Sequence, residues 1–310
     1  MTRSPRSAVT AARRGTVLRR FGASADIEDD AGLCRRVHIP KKLAQLVCGD
    51  RVLWQEQSRG KALITALLAR ENILARPDER GRLRPLAANV GQLIVVVAPS
   101  AAGPPLTGSD EDLLNSYLVA AELSHIQACI VFNKIDRLRE HARQVIDNYA
   151  LRYRRIGYPA LLTSVKTKTG LDALVAKLRD QRSVFVGQSG VGKSSLIRWL
   201  MPAQADIRVG ELAATGRHGR HTTTVASLYH LPQGGDIVDS PGVRAFGLWH
   251  IGRRDLARGF VEFARYQNQC RFHNCLHRGE PQCAVLEASR RGDIASARLA
   301  SYRRLADQLA

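Results

Sequence analysis

The amino-acid sequence predicts three domains: a small β-barrel over residues 15–86, a central α/β domain over 87–249, and a helical domain over 250–310 that holds a metal ion. Three observations lead to this prediction. Short strands broken by glycine turns come first, alternating strands and helices follow, and cysteine and histidine residues cluster between helical segments near the C-terminus. A chain of 310 residues that is 45% hydrophobic is long enough to bury several such cores.

The net charge of +19 is the strongest compositional signal, and it favours a polyanionic partner such as RNA. Residues 1–20 contain six arginines and no acidic residue. We therefore expect residues 1–14 to form a disordered basic arm that contacts RNA, with an organelle transit peptide as the alternative. An Arg-rich surface that is merely solvated is the plainer explanation of the charge, but its clustering favours RNA.

The apolar runs and the cysteines of the sequence indicate the cellular compartment in which the protein works. No apolar run approaches the roughly 20 residues of a membrane-spanning helix, so no membrane partner is expected. Of six cysteines, three are scattered and three cluster with a histidine, which is not the pattern of a secreted disulfide framework. We expect a monomer in the reducing environment of the cytoplasm.

The N-terminal region is expected to be a closed barrel because its strands are short and its turns are frequent. Residues 16–18 and 50–54 are typical strand segments, and glycines separate them. A small basic barrel is typical of oligonucleotide binding, although many small β-domains share the pattern. We therefore predict an RNA-binding barrel over residues 15–86.

The central region alternates between strands and helices, which predicts a mostly parallel sheet. After Gln92, residues 93–98 form a continuous apolar run, as in a strand buried on both faces. The candidate motifs follow the carboxyl ends of strands, where open α/β sheets bind ligands. Further strands are predicted at 128–132, 160–163, 183–186 and 236–238, and helices at 110–122 and 171–178.

Residues 187–194 match the phosphate-loop motif G-x-x-x-x-G-K-[ST] between a predicted strand and a predicted helix. In such a loop, consecutive backbone N–H groups bind phosphate oxygens at a helix N-terminus. Lys193 is expected to reach the terminal phosphates, and the Ser194 hydroxyl is expected to bind Mg²⁺. The predicted nucleotide-binding residues of this segment are Gly187, Gln188, Ser189, Gly190, Val191, Gly192, Lys193, Ser194 and Ser195.

Asn133, Lys134, Ile135 and Asp136 form the motif N-K-x-D, which selects guanine. The Asp136 carboxylate would accept hydrogen bonds from the ring N–H and the exocyclic amine of guanine, a pair of donors that adenine does not offer. The stem of Lys134 would pack along the base. Ser164 follows another predicted strand and is expected to support the base from the other side, although its Thr-Ser-Val-Lys segment departs from the usual Ser-Ala-Lys.

The guanine motif precedes the phosphate loop, which reverses the order found in ordinary GTPases. This reversal indicates a circular permutation of the nucleotide-binding domain. It moves both segments that would sense the γ-phosphate into the second half of the domain, directly before the C-terminal domain.

Two later segments are expected to respond to the γ-phosphate. Asp239 opens a D-x-P-G motif, in which it would hold Mg²⁺ through water while the N–H of Gly242 contacts the γ-phosphate. The segment 219–224 offers Thr223, with Thr222 as second choice, as a further Mg²⁺ ligand. An RNA-contacting loop without a metal role is the alternative for that segment.

The group that activates water for hydrolysis is missing from its usual position. Val243 stands where Ras-like GTPases carry a glutamine that orients the attacking water. A valine cannot do this, so intrinsic hydrolysis is expected to be slow unless another group or a partner contributes. His221 is the nearest candidate in the chain, against the plainer alternative of a solvated loop histidine.

Cys270, Cys275, His277 and Cys283 supply three thiolates and one imidazole within a short segment. Four such ligands complete a tetrahedron with no open position, which predicts one structural Zn²⁺. His273 lies in the same segment and is an alternative to His277 on spacing alone.

In this permuted order, the motifs resemble those of the RsgA (YjeQ) family, the circularly permuted GTPases of bacterial small-ribosomal-subunit biogenesis. The resemblance extends from about Gly15 to the C-terminus and rests on the four metal-ligand residues and on segments 133–136, 187–195, 219–224 and 239–244. It implies an N-terminal OB-fold, a permuted GTPase domain and a C-terminal zinc domain. In the family, a histidine near the first of the two segments that respond to the γ-phosphate has been proposed to assist hydrolysis. His221 corresponds to it here.

The resemblance also implies a function. It implies a GTPase that binds the small ribosomal subunit and its rRNA late in maturation, hydrolyses GTP to GDP slowly by itself, is stimulated by the subunit, and helps to release assembly factors. The alternative hypothesis is an RNA-binding module whose nucleotide site regulates affinity with negligible turnover. The two hypotheses share GTP binding and differ in catalysis.

Overall fold

The computed structural model describes residues 11–57, 61–78, 80–202, 226–239 and 251–309. Its first five strands are β1 Arg13–Phe21, β2 Ser24–Asp29, β3 Cys34–His38, β4 Arg51–Glu56 and β5 Ala62–Leu67. They pair in the order β1-β2-β3-β5-β4, and β4 returns to β1, so the sheet closes on itself. A closed five-stranded barrel of this kind is the architecture of oligonucleotide-binding folds, and the predicted barrel is confirmed.

The barrel closes around an apolar interior centred on Trp54. Its side chain is fully buried with those of Val17, Ile27 and Ile64. The indole N–H of Trp54 donates to the carbonyl of Arg14 at 3.1 Å, across the seam between β4 and β1. The polar edge of the indole is therefore satisfied while its rings fill the core.

The N-terminal boundary of the barrel differs from the prediction. Arg13 and Arg14 belong to β1 rather than to a disordered arm, because they pair with Trp54 and Leu53 of β4. The guanidinium of Arg13 also lies over the Trp54 ring, 5.6 Å from its centroid. Residues 1–10, the rest of the predicted arm, lie outside the described part of the chain.

A separate hairpin follows the barrel. Strands β6 Ile73–Pro77 and β7 Leu83–Ala88 pair with each other and form their own two-stranded sheet. The barrel strands thus end at Leu67, before the predicted limit at residue 86. The turn of the hairpin is held by the Asp78 carboxylate, which accepts from the N–H groups of Arg80 and Arg82 at 2.9 Å each.

The central domain is built on a six-stranded sheet in the order β10-β9-β8-β11-β13-β12. All of its strands are parallel except β12, which runs antiparallel to β13 and, on its other side, to β1 of the barrel. Strand β12, only four residues long, has no counterpart in the sequence prediction. The strands are β8 Gln92–Val97, β9 Gln127–Phe132, β10 Ala160–Leu162, β11 Arg182–Val186, β12 Ser227–His230 and β13 Asp236–Asp239.

Helices cover both faces of this sheet, so successive residues of the central strands are buried on opposite sides. In β8, Leu93 and Val95 face the layer of helices α1 and α2, whereas Ile94 and Val96 face the layer of α3 and α4. Helix α1 starts at a capping box in which Thr107 and Asp110 bond reciprocally. The helices are α1 Gly108–Leu123, α2 Glu140–Arg155, α3 Leu171–Leu178 and α4 Lys193–Leu200.

In the described residues of the C-terminal domain the regular elements are all helices, as predicted, and the metal ligands lie in the loop between them. A 3-10 turn at Val261–Phe263 separates its first two helices, both of which are short. Its helices are α5 Arg253–Arg258, α6 Ala264–Gln267, α7 Ala284–Arg290 and α8 Ser296–Gln308. Across the described ranges, none of the helices has the length and apolar character needed to traverse a bilayer.

A buried polar joint connects the C-terminal domain to α1. Arg298 is 1% exposed, and its guanidinium pairs with Glu262 at 2.6 and 2.9 Å. It also donates to the side chain of Asn115 on α1, which bonds Ser301 of α8 at 2.7 Å. A buried guanidinium is tolerated only when its donors are matched, so these partners hold the two domains in one register.

Candidate nucleotide-binding site and metal centre

The predicted nucleotide motifs come together at one edge of the central sheet. Parallel strands end at the same edge, and Asn133, Ser164 and Gly187 each follow a parallel strand within two residues. Strand β13 lies beside β11 with Val238 opposite Val184, so Asp239 reaches the edge where the phosphate loop begins. This is the edge at which open α/β sheets bind ligands.

Glycines allow the phosphate loop to lie against this edge. Gly187 has φ +132°, and a Cβ there would lie 2.1 Å from the carbonyl oxygen of Val96. Gly192 has φ +101°, and a Cβ there would meet the amide nitrogen of Asn133 at 2.3 Å. Any larger residue at either position would clash and would be strained, so the loop geometry requires glycine.

The loop borders an open cavity of about 560 Å³. Two lysines and three serines contribute to its lining, and no acidic residue is among the described residues that line it. The Lys193 ammonium donates to the carbonyls of Gly187 and Gln188 at 2.7 and 2.5 Å, which holds it over the loop. Such a cationic, donor-rich cavity at a helix N-terminus suits phosphate. The cavity is lined by Lys134, Ser189, Gly190, Gly192, Lys193, Ser194 and Ser195.

The guanine motif is tied directly to the phosphate loop. The side-chain amide of Asn133, 2% exposed, donates to the carbonyl of Val191 at 2.9 Å. The Lys134 ammonium donates to the carbonyl of Gly190 at 2.6 Å. These bonds span 56 to 58 residues of sequence, so the two motifs form one site.

The carboxylate that would read guanine is oriented by a neighbouring loop. Asp136 is exposed, as a base-contacting group must be, and accepts a hydrogen bond from the hydroxyl of Ser164 at 2.5 Å. Ser164 is fully buried, and its hydroxyl in turn accepts from the N–H of Thr167 at 3.2 Å. Ile135, between the lysine and the aspartate, is buried and anchors the turn.

The sequence prediction missed two supporting residues. Thr163 is fully buried and donates its hydroxyl to the Asn133 side chain at 3.1 Å, which fixes the orientation of that amide. Asp110, in the first turn of α1, lies 3.5 Å from the amide nitrogen of Gln188 in the phosphate loop. Thr163 stands beside Ser164 in sequence, but its contact with Asn133 depends on the pairing of β9 with β10.

Of the residues expected to sense the γ-phosphate, Asp239 alone lies in the described part of the chain. It ends β13 and pairs with Ser227 of β12. The predicted Mg²⁺ ligand Ser194 is exposed at the start of α4, facing the cavity. His221, Thr222, Thr223, Gly242 and Val243 lie outside the described residues.

The four predicted metal ligands converge in the C-terminal domain. One ligand atom each from Cys270, Cys275, His277 and Cys283 lies within 4.8 Å of all the others, so the set could hold a metal ion. His277 is 2% exposed and its Nδ1 lies 3.3 Å from the Cys283 sulfur. His273, the alternative on spacing, is exposed and outside the cluster.

The donor chemistry of this cluster fits a soft cation. Burial lowers the pKa of His277, which keeps the imidazole neutral and able to coordinate. Burial also raises the pKa of Cys275 to about 12 and raises that of Cys283. Three crowded thiolates therefore need a bound cation to compensate their charge, as in a Cys₃His centre.

A carboxylate shapes the loop that carries His277. The two oxygens of Glu280 accept from the N–H groups of Leu276 at 2.8 Å and Arg278 at 2.7 Å. Partial burial by itself would raise the pKa of Glu280, but the backbone donors prevail and lower it to about 2. His277 adopts φ +57°, a conformation that such a network of backbone bonds can hold in place.

We predict that Glu280→Gln weakens metal retention without removing a ligand. An amide offers one acceptor oxygen where the carboxylate offers two, so the loop loses a charge-assisted bond of about 2 kcal/mol. Because the folded-state pKa lies below the ordinary 4.5, the stabilisation is present at neutral pH and fades as the pH falls from 4.5 toward 2. Faster metal transfer to a chelator at pH 7 is the expected result.

The matched control for this variant is Glu287→Gln, which removes the same charge from an exposed position on α7. Glu287 contacts Arg290 at 3.0 Å and is not part of the metal loop. Equal rates of metal transfer for the two variants would show that the carboxylate of Glu280 does not support the loop.

Comparison with known proteins agrees with this site. Residues 67–249 match the family model described as RsgA GTPase. The small ribosomal subunit biogenesis GTPase RsgA of Chromohalobacter salexigens is 46% identical over 301 residues, covering 96% of this chain and 86% of that protein. The protein of the same name from Alcanivorax borkumensis is 44% identical over 302 residues, covering 95% and 84%.

Solved structures agree over nearly the whole chain. The crystal structure of YjeQ from Thermotoga maritima matches with a TM-score of 0.79 at 30% identity, covering 96% of this chain and 99% of that chain. YloQ, described as a circularly permuted GTPase, matches with a TM-score of 0.75 at 26% identity, covering 96% and 95%. The permuted order of motifs, the fold and these relatives lead to one conclusion: the chain belongs to the RsgA GTPase family.

Proposed function

We propose that this protein binds the small ribosomal subunit and its rRNA during late maturation and hydrolyses GTP there. One observation carries the proposal: the Asn133 amide bonds the phosphate-loop carbonyl of Val191, which joins a guanine reader and a phosphate cradle into a single site. Relatives named for small ribosomal subunit biogenesis, more than 40% identical over most of the chain, support the subunit as the partner.

Each part of the nucleotide site has a distinct task in this proposal. Asp136 reads the guanine edge, Lys193 and the loop N–H groups bind the β- and γ-phosphates, and Ser194 and Asp239 hold Mg²⁺. An Mg²⁺ ion held by these residues would supply positive charge against the negative charge that develops on the phosphates during hydrolysis. Thr223 and the Gly242 N–H would respond to the γ-phosphate, and His221 would assist the attacking water.

The flanking domains supply the RNA contacts. The chain has an excess of cationic side chains, with a net charge of +19, and phosphate contacts from such residues provide most of the affinity for RNA. On the barrel, Arg36, whose guanidinium also pairs with Asp26, stacks over the half-exposed ring of Phe21, 4.5 Å from its centroid, so a cationic side chain and an aromatic ring lie together. Such pairs suit single-stranded or unstacked RNA.

We assign the Cys₃His centre to one structural Zn²⁺, because three thiolates and an imidazole form a closed tetrahedral set. The ion would be structural, since the four ligands leave no position for a substrate. Cytoplasmic location follows from the proposed ribosomal partner and from the reduced cysteines that the metal centre needs.

The decisive experiment measures GTP hydrolysis with and without purified small subunits. We expect a slow intrinsic rate that the subunits raise by at least about tenfold, because the chain lacks its own water-orienting glutamine and a partner must complete the site. Lys193→Ala serves as the background control, since it removes the phosphate-binding ammonium and should abolish the stimulated rate.

The second hypothesis, a nucleotide-regulated RNA-binding module, makes the opposite prediction. A rate that stays at the Lys193→Ala background in the presence of subunits, while GTP and subunits both bind, would favour it. The removal of assembly factors is tested in the same system by adding factor-loaded subunits and measuring factor release on hydrolysis.

A further inference from the structure

In the sequence, the hairpin formed by β12 and β13 connects the two segments that are expected to respond to the γ-phosphate. Strand β12 starts three residues after Thr224, and β13 ends on Asp239 itself. Within the hairpin, Ser227 lies opposite Asp239, so the two ends that join the sensing segments are paired with each other. A displacement of either segment therefore acts directly on this hairpin.

The outer edge of the same hairpin is attached to the barrel. Strand β1 pairs antiparallel with β12, with Arg19 opposite Ser227. Asp239, Ser227 and Arg19 thus form one row across three adjacent strands. Neighbouring strands lie about 4.8 Å apart, so the row leads from the edge of the nucleotide site to the barrel within about 10 Å.

Side chains from the barrel contact the last two residues of β12, Tyr229 and His230. The guanidinium of Arg19 lies over the ring of Tyr229, 5.1 Å from its centroid. The Glu28 carboxylate of β2 lies 3.0 Å from Nε2 of His230, whose Nδ1 lies 2.7 Å from Asp236 of β13. We call these two contacts, Arg19 with Tyr229 and Glu28 with His230, the clasp.

The clasp contributes much of the attachment between the hairpin and the barrel, because the described backbone pairing of β1 with β12 is short. Among the residues that the structure describes, one pair registers β1 with β12, whereas six pairs register β1 with β2. The barrel is held more firmly at the turn of Gly49, whose carbonyl accepts from Arg182 and from Asn89, each at 2.9 Å. The barrel can therefore rotate about this turn when the hairpin moves.

We propose that the clasp couples the nucleotide state to the RNA-binding barrel, so that affinity for the small subunit depends on GTP or GDP through Arg19, Glu28, Tyr229 and His230. The inference rests on the proposed function, which supplies the barrel's partner. Coupling is reciprocal, so subunit binding must change the affinity for GTP relative to GDP by the same factor.

The test compares affinities for purified small subunits in the presence of a non-hydrolysable GTP analogue and of GDP. In the wild type we expect the two affinities to differ by about fivefold or more. The variant Arg19→Lys/Glu28→Gln keeps a cation for RNA but loses the stacked guanidinium and the carboxylate contact. Each contact of this kind, partly shielded from solvent, is worth up to about fivefold, so the ratio of the two affinities should move most of the way to one.

The control Arg20→Lys/Glu71→Gln makes the same chemical changes without touching the hairpin. Arg20 bonds carbonyls of Gly22 and Leu46 within the barrel, and Glu71 pairs with Arg51. This control should keep the wild-type ratio. The His230→Ala change lies on the hairpin side, at an exposed position. It should also reduce the dependence of subunit affinity on the nucleotide, without altering the barrel surface.

The results separate this inference from the proposed function. Absence of subunit binding in both nucleotide states would overturn the proposed function and the inference with it. Subunit binding of equal strength in both states would overturn the inference alone. So would a nucleotide-dependent ratio that survives both the Arg19→Lys/Glu28→Gln and the His230→Ala changes.

Discussion

Replacing Asp136 with asparagine is expected to move the nucleotide preference from GTP toward xanthosine triphosphate. The carboxylate accepts from two donors of guanine, and the Ser164 hydroxyl at 2.5 Å orients it. An amide presents one acceptor and one donor, so the guanine amine loses its partner, whereas the carbonyl at that position of xanthine gains a donor. Because a mismatched polar pair in a specific site is strongly rejected, kcat/KM for GTP should fall by at least about 10²-fold.

The measurement is competition of GTP and xanthosine triphosphate for the same site, followed by hydrolysis of each nucleotide. Asp147→Asn is the control, because it removes the same charge from an exposed position on α2, where Asp147 pairs with Arg143. The guanine assignment is wrong if Asp136→Asn and the control show the same ratio of the two nucleotides.

The second large effect is expected at the metal centre. Cys275→Ser should leave the protein without its metal and unfold the segment around residues 270–283. A structural Zn²⁺ contributes about 10 kcal/mol or more to the folding of small zinc domains, far more than the remaining contacts of a short loop can replace. The loss should spread to Phe263 and Tyr302, since both rings pack against His277, with centroids 6.0 and 6.2 Å from it.

Metal content after dialysis and the near-ultraviolet circular dichroism of these aromatic rings check this prediction. Cys34→Ser is the matched control, since Cys34 is an exposed cysteine of β3 outside the cluster. A second pair distinguishes the histidines: His277→Ala should lose the metal, and His273→Ala should keep it. Full metal content in Cys275→Ser would refute the ligand set.

The motif-bearing elements could be predicted from the sequence because their signals are local. The helix over 171–178 has the predicted bounds, and the strand before the phosphate loop differs from the prediction by one residue. Gly187 and Gly192 belong to a motif whose backbone geometry excludes other residues, so the pattern itself implies the loop. The four clustered metal ligands likewise lie within one short stretch of chain.

Elements that form only because a distant strand pairs with them could not be predicted, since their signals are not local. Strand β12 has four residues and no clear alternation, and it is a strand because β13 and β1 flank it. Arg13 and Arg14 look like part of a basic arm, but the closing seam of the barrel recruits them into β1. In each case the deciding hydrogen bonds come from residues distant in sequence, which local propensity cannot report.

Read alone, the sequence determined the chemistry of this protein: a phosphate loop, a guanine reader placed before it, and a set of four soft metal ligands. Those features depend on residue type and on short spacings, both of which can be read directly from the sequence. Only the tertiary structure decided how they are joined. It bonds Asn133 to Val191, buries Arg298 between α1 and the C-terminal domain, and sets Arg19 of the barrel opposite Ser227. These contacts depend on long-range packing, because the folded core must bring together strands and helices that lie far apart in the chain.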